Sequence, residues 1–358
     1  MDALSEFAPG RHHCAMCADG SRKNLMNIAA YDGKRVLITG GLGFIGSNLA
    51  RRLVNSGADV TLVDSLIPAY GGNLANISDI KDQVSCNISD VRDPHSMAYL
   101  VQGKDYLFNL AGQTSHMDSM TNPQADLDIN AAAQLTILEA CRAVNTDVKL
   151  VFASTRQLYG KPDYLPVDEQ HPIRPVDVNG INKLAGEWYH LLYNNVYGIR
   201  ACALRLTNTY GPAMRVKDAR QTFLGIWVRS LIEGTPIKVF GDGKQLRDFN
   251  YVDDCVDALL LAGASDEANG KVYNLGSREV INLGDLAAMM VELGYGGQYE
   301  LVPFPAERKA IDIGDYYSDF SLISKELGWV PKVGLSEGLQ KTMEYYKANS
   351  QHYWDANK

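Results

Sequence analysis

Three glycines spaced by three residues, Gly40, Gly43 and Gly46, stand between a mostly β-branched apolar run, Val36 to Ile38, and a helical pattern continuing through Leu49, Leu53 and Val54. A turn this tight needs residues without a Cβ. It also lets a pyrophosphate approach backbone N–H groups at the positive end of the helix that begins there. A second apolar run, Val60 to Val63, ends in Asp64 about twenty residues after the turn. A carboxylate there can bind both ribose hydroxyls of adenosine and would repel a 2′-phosphate, which favours NAD over NADP. The glycines alone would also suit an ordinary strand–turn–helix that only needs close packing. Strand, glycines, helix, strand and acid in this order point instead to a bound dinucleotide.

Two further stretches offer polar groups to a ligand. In Asn109 to His116, small residues let the backbone pass beside the cofactor, while Gln113, Ser115 and His116 present side chains. In Ala153 to Gly160, the hydroxyls of Ser154 and Thr155 follow an apolar run, where they can hydrogen-bond a reacting hydroxyl or merely cap local backbone.

The elements needed to position these residues alternate along the chain. Strands are expected at Val36–Thr39, Val60–Val63, Tyr106–Leu110, Lys149–Ala153 and Arg200–Leu206, with helical patterns between them at Ala125–Arg142 and Asn179–Val196. Such alternation predicts an α/β fold, a doubly wound parallel (Rossmann) sheet whose ligands bind beyond the carboxyl ends of the strands. After Leu206 the pattern loosens into a smaller C-terminal α+β lobe. It reads as a helix at Gln221–Gly234, a strand at Ile237–Phe240, and helices at Val252–Ala264, Leu283–Leu293 and Leu335–Lys347. The expected organisation is an N-terminal extension (1–31), a dinucleotide domain (32–206, with a returning segment at about 247–277) and a substrate lobe (207–246 and 278–350).

Composition narrows the class. The chain has 358 residues, 46% hydrophobic and 21% charged, with a net charge of −8. That acidic balance argues against a nucleic-acid partner, and no apolar stretch approaches the length of a membrane span. Neither a secretory signal pattern nor a disulfide framework is evident, so a reduced, cytoplasmic setting is expected, with Cys86, Cys141, Cys202 and Cys255 in apolar core segments. Cys14 and Cys17 form a CxxC beside His12 and His13, but adjacent histidines are poorly placed to supply two ligands of a tetrahedral site, and no metal is expected.

From about Lys34 to the last helix the chain resembles the extended short-chain dehydrogenase/reductase family, specifically its nucleotide-sugar epimerases and dehydratases. The resemblance rests on TGGLGFIGSNL from Thr39, on Asn109–Ser119, on Asn130, and on RLTNTYGP from Arg205. It continues in GDGKQLRDFNY from Gly241 and LGWVP from Leu327. It implies NAD as cofactor, with Phe44, Ile45, Val91, Leu110, Ala111, Gln113 and Asn130 against it and Asp90 at the adenine. It implies a nucleoside-diphosphate sugar as substrate, with Ser115 and Asn208 on the sugar or phosphate and Arg247 and Arg308 on the diphosphate. Guanidinium suits that task because it can bind phosphate oxygens bidentately. It further implies a homodimer formed through the helices that hold Asn130 and Lys183.

The sequence departs from the family pattern at two places. The proton-transferring pair is a Tyr and a Lys four residues later on one helix face; Lys183 is present, but Asn179 stands at the Tyr position, with Asp177 as the expected helix cap. An amide does not ionise in the working pH range and cannot act as the base. His116 is then the leading replacement, ahead of Tyr159 and Tyr189. Chemistry that does not depend on this proton transfer, or binding without turnover, are the other readings. Arg156 and Gln157 stand where dehydratases carry an acid pair, which counts against 4,6-dehydration and suits a sugar bearing a carboxylate. The resulting expectation is an epimerase in which Thr155 binds the reacting hydroxyl, Lys183 orients the ribose and Asn179 positions a hydroxyl or water. A decarboxylase, a dehydratase and a non-catalytic binder are the alternatives.

Overall fold

The structure, a computed structural model, describes residues 29–67, 69–218, 222–293 and 297–354. The CxxC and its histidines lie outside the described residues, as does Gln221.

Seven parallel strands form the main sheet. They are β1 (Arg35–Thr39), β2 (Asp59–Asp64), β3 (Val84–Ile88), β4 (Tyr106–Asn109), β5 (Lys149–Thr155), β6 (Ala201–Leu206) and, from the C-terminal half, β10 (Val272–Asn274). Their order is β10-β6-β5-β4-β1-β2-β3, so the strand order reverses between β1 and β4. This is the doubly wound Rossmann sheet, and a crevice opens above that reversal. Successive side chains serve opposite faces: Val36 and Ile38 join one core while Leu37 joins the other. Helices α1 (Phe44–Val54) and α8 (Val252–Ala264) pack on the first face. Helices α2 (Pro94–Val101), α5 (Ala133–Val144) and α6 (Val178–Tyr197) cover the second.

Two strands of this sheet have no clear signal in the sequence. β3 is a polar edge strand, and Cys86 on it is exposed rather than buried in the core, whereas Cys141, Cys202 and Cys255 are buried. β10 is only three residues long and joins the sheet beside β6 after a long excursion through the C-terminal half. Tyr31, at the end of the expected extension, is fully buried and donates to the Leu260 carbonyl at 2.7 Å.

The single helix expected over Ala125–Arg142 is three pieces. After α3 (His116–Thr121) come α4 (Pro123–Leu127), a π turn at Asp128–Ala132, and then α5. Asn130 donates from Nδ2 to the Gln113 carbonyl at 2.9 Å, and Gln134 donates to the Ile129 carbonyl at 3.0 Å, holding the widened turn. Gly186 on α6 lets that helix approach: a Cβ there would lie 2.8 Å from the Asn130 carbonyl oxygen. π turns of this kind concentrate at functional sites.

The smaller lobe holds a three-stranded sheet, β11 (Val280–Asn282), β9 (Leu246–Tyr251) and β7 (Asn208–Tyr210), and a parallel pair, β8 (Ile237–Phe240) with β12 (Tyr299–Val302). Its helices are α7 (Phe223–Ile232), α9 (Leu283–Glu292), α10 (Ala306–Lys309), α11 (Ser321–Leu327) and α12 (Leu335–Asn349). No helix among the described residues is long and apolar enough to cross a membrane.

Candidate functional site

A cavity of about 470 Å³ runs from the glycine turn across the strand-order reversal to the smaller lobe. Its first end is built by the turn itself. Gly40 has φ +68°, and a Cβ there would lie 3.0 Å from the Ala111 amide nitrogen; a Cβ on Gly46 would run into the Gly40 carbonyl oxygen. Thr39 knits the two strand ends together: its hydroxyl donates to Asn109 Oδ1 at 2.8 Å and accepts from the Leu110 and Ala111 N–H groups. The helix α1 therefore starts, with no side-chain cap, facing open space. That is the arrangement a pyrophosphate requires.

Asp64, Asp90 and Val91 line the same end, with Phe44 and Ile45. Asp64 accepts from the Leu66 N–H at 2.9 Å and the Leu42 N–H at 3.2 Å, and burial raises its carboxyl above the ordinary range despite those two bonds. Asp90 is paired with Arg92 at 2.6 Å, which holds its carboxyl below the ordinary range.

In the middle of the cavity lie Leu110, Ala111, Gln113, Ala153 and Lys183. Lys183 donates to the Ala153 carbonyl at 3.1 Å, and burial pulls its ammonium down to about 8, opposed by the charge of Asp126. Gly112 leaves room for it: a Cβ there would lie 2.8 Å from Nζ. Asn130 does not line the cavity. It stands one layer behind, holding the Gln113 carbonyl, with its own Oδ1 buried and without a hydrogen-bond partner among the described residues. Asn179 is buried at the cavity wall with its amide donors taken, by the Gln113 carbonyl at 2.9 Å and by Asp126 Oδ2 at 3.0 Å. Only its oxygen is left for a hydroxyl or water. Asn182 donates to the other Asp126 oxygen at 2.8 Å.

At the far end Ser115, His116, Thr155, Arg156, Asn208, Arg247 and Arg308 converge. Thr155 caps a 3₁₀ turn by accepting from the Gln157 N–H at 3.1 Å, which leaves its hydroxyl hydrogen free to donate. Ser115 likewise accepts from Asp118 N–H as the cap of α3. Asp177 caps α6 through Gly180 N–H at 2.6 Å, takes Gln157 Nε2 at 2.9 Å, and lies 2.9 Å from His116 Nδ1. Nδ1 meets no aligned acceptor as the ring stands, so this approach becomes an ion pair only when the imidazole takes a proton. His116 Nε2 has no partner among the described residues. Arg247 donates to the Leu246 and Gly314 carbonyls and lies 3.7 Å from Asp312. Arg308 stacks on Phe240, 5.4 Å from the ring centre.

Two base candidates from the sequence are displaced. Tyr159 is fully buried away from the cavity, between Arg205 Nη1 at 2.6 Å and Asn274 Oδ1 at 2.7 Å, and burial pushes its hydroxyl up to about 12. Tyr189 packs against the second core. Sequence reading overlooked Asp126 and Tyr316, whose roles come from helices and loops far apart in the chain and carry no local signal. Asp177 was legible as a cap but not as the partner of His116.

Residues 36–276 match the model of the NAD dependent epimerase/dehydratase family. A putative UDP-glucose 4-epimerase of Methanocaldococcus jannaschii is 33% identical over 319 residues, 88% of this chain and 99% of that one. Among solved structures, an epimerase of Methanothermobacter thermautotrophicus superposes with a TM-score of 0.86 at 27% identity, covering 92% of this chain and 96% of its own. The UDP-glucose 4-epimerase of Thermotoga maritima, solved with UDP-glucose, gives 0.81 at 29% identity, covering 88% and 99%.

Proposed function

Because the chain belongs to the NAD dependent epimerase/dehydratase family, we propose that it epimerises a nucleoside-diphosphate sugar through transient oxidation of one sugar hydroxyl. The carrying observation is one continuous cavity that joins the glycine turn and Asp64 to Thr155, His116 and three arginines. The uncapped start of α1, open to the cavity at the glycine turn, and the carboxylate at Asp64 fit the NAD on which this family of enzymes depends. When bound, NAD supplies a reversible hydride acceptor, so that return of the hydride to the opposite sugar face inverts the carbon.

The chain's own residues do the rest. Thr155 holds the reacting hydroxyl, His116 takes its proton, Lys183 orients the ribose, and Arg247 and Arg308 bind the diphosphate. Asn179 stands where the family's Tyr is expected and serves to lock Lys183's surroundings through Asp126 and the Gln113 carbonyl. Arg156 and Gln157 offer no carboxylate for removing a carbon-bound proton, which favours epimerisation over dehydration. The commitment of the Asn179 donors to protein groups is what favours the second reading, a binder without turnover.

The test is to mix the NAD-loaded protein with a panel of nucleotide sugars and follow reduced-cofactor absorbance and the product's NMR spectrum. A transient absorbance and a new stereoisomer with one sugar are expected. Tight binding with neither signal would replace the epimerase by the binder, and no binding would sink both.

Lys183 adds a pH dependence. Its folded-state pKa is depressed to about 8, so its charge is lost well before that of a free lysine as the pH rises. NAD affinity measured by calorimetry between pH 6.5 and 9.5, a range chosen about that value, should fall roughly tenfold across it, the worth of one charge-assisted hydrogen bond. The fall should vanish in Lys183→Met.

We place a homodimer contact on α6. Ile181, Trp188, Leu192 and Val196 are exposed along it, with Trp188 56% exposed. Their spacing puts them on one face, an apolar stripe that a second copy would bury by a two-fold contact. Trp188→Glu should halve the mass seen in sedimentation, and an unchanged mass would remove the stripe from the interface.

A further inference from the structure

Arg156 occupies the cavity with part of its guanidinium unmatched. It follows Thr155 directly at the carboxyl end of β5. Its Nη2 donates to Asn208 Oδ1 at 2.9 Å, and the group lies over the Tyr316 ring, 4.8 Å from its centre. Nη1 is buried with no hydrogen-bond partner among the described residues. A buried charged donor left in this way is costly, so such an atom marks a place where a ligand group is to arrive.

No carboxylate among the described residues fills that role. Asp248 is engaged by the Thr207 hydroxyl at 2.5 Å and the Ser318 N–H at 3.1 Å. Asp177 is held by Gly180, Gln157 and His116. Asp312 takes Gln245 Nε2 at 2.6 Å and the Gly314 N–H at 3.2 Å, and what remains of it faces Arg247. Burial, and after it the nearby charge of Arg156, lowers the Arg247 guanidinium below its ordinary range. These three carboxylates act on Arg156 through their charge, but none of them hydrogen-bonds it, so the Nη1 donors remain for a ligand. The Tyr316 face and the Asn208 carbonyl fix the guanidinium plane in advance, which suits a planar, bidentate acceptor.

Resting on the reading that this compartment takes a nucleoside-diphosphate sugar, we propose that Arg156 receives a carboxylate carried by the sugar itself. The substrate class is then a nucleoside-diphosphate uronic acid or a similarly acid-bearing sugar. Position separates this role from diphosphate binding: Arg156 adjoins Thr155, which faces the reacting hydroxyl, whereas Arg247 and Arg308 come from the smaller lobe.

The experiment compares sugars that differ only at carbon 6. NAD-loaded protein is titrated by calorimetry with UDP-glucose and UDP-glucuronate, with GDP-mannose and GDP-mannuronate, and with UDP and GDP alone. The acid of at least one pair should bind about tenfold or more tighter than its neutral partner, the worth of a charge-assisted bidentate contact. Arg156→Gln should bring that ratio to about one while the free nucleoside diphosphate keeps its affinity within about twofold. Arg156→Lys, which keeps the charge but not the fork, should retain part of the preference and shows that the site still folds. The inference is overturned if neutral sugars bind as tightly as acids, or if the preference survives in Arg156→Gln. It is also overturned if that variant loses free diphosphate and sugar equally, which would assign Arg156 to the phosphates. Failure of every nucleotide and nucleotide sugar to bind would instead overturn the underlying functional reading, and this inference with it.

Discussion

His116→Asn is expected to lower turnover by about 10²–10⁴-fold, the usual contribution of a positioned general base, with nucleotide-sugar affinity within a few-fold of the parent. The argument starts from what the neighbouring groups cannot do. Asn179 does not ionise, and its donors are already bound to the Gln113 carbonyl and Asp126. Tyr159 is sealed behind β5 by Arg205 and Asn274. His116 lines the cavity with Thr155, and its Nδ1 rests 2.9 Å from Asp177, leaving Nε2 without a partner among the described residues. A carboxylate on one ring nitrogen orients the imidazole and stabilises the imidazolium formed when the other takes a proton. Asp177 is thus a positioning residue. Asp177→Asn retains a capping side chain for α6, so it should lower kcat with little change in KM or melting temperature. Steady-state kinetics on the substrate found by the panel decide the matter. Near-normal turnover in His116→Asn would transfer the proton to another group, Lys183 being the remaining ionisable side chain beside Ala153.

The second large effect is on stability. Arg205→Met should destabilise the fold by about 3–5 kcal/mol, because it strands a buried carboxylate. Arg205 on β6 meets Glu187 on α6 through Nη2–Oε1 at 2.6 Å and Nε–Oε2 at 3.0 Å, with the two side chains 4% and 0% exposed. Glu187 also accepts from the Ser154 hydroxyl at 2.6 Å, and Arg205 lies over the Tyr159 ring, 4.9 Å from its centre. Ser154 is the register partner of Arg205 and the residue before Thr155, so the network pins the carboxyl end of β5 under the site. Urea unfolding would show the loss as a lower midpoint. The double variant Arg205→Met/Glu187→Leu should recover most of it, since replacing both charges by apolar groups removes the unpaired ion. A single-variant loss below about 1 kcal/mol would mean that water reaches Glu187 and the pair is not effectively buried.

Most of the fold was legible along the chain because its signals are local. The turn at Gly40–Gly46 is dictated by backbone that has no room for a Cβ, the acid at Asp64 by the end of the next strand, and the cap at Asp177 by the helix that follows it. The five apolar strands and α8 follow from runs and periodicities that neighbouring residues set. Strand β3 escaped because an edge strand exposed to water needs no apolar run, and for the same reason Cys86 is exposed. The π turn escaped because it is imposed by Gln113 and Gly186, which approach Asn130 from other elements.

The candidate site divides along the same line. Residue types and position sufficed to nominate Thr155 and His116, while Lys183, Arg156, Arg247 and Arg308 were nominated through the family resemblance of the motifs around them. Which of their atoms remain free for a ligand depended on partners far away in the chain. Asp126 takes the Asn179 amide, Asp177 takes one nitrogen of His116, and Tyr316 and Asn208 hold Arg156 while leaving Nη1 bare. Hydrogen-bond capacity is exhausted by whichever groups burial brings within 3 Å or so, and that proximity exists only once the sheet, its helices and the smaller lobe have closed on one another.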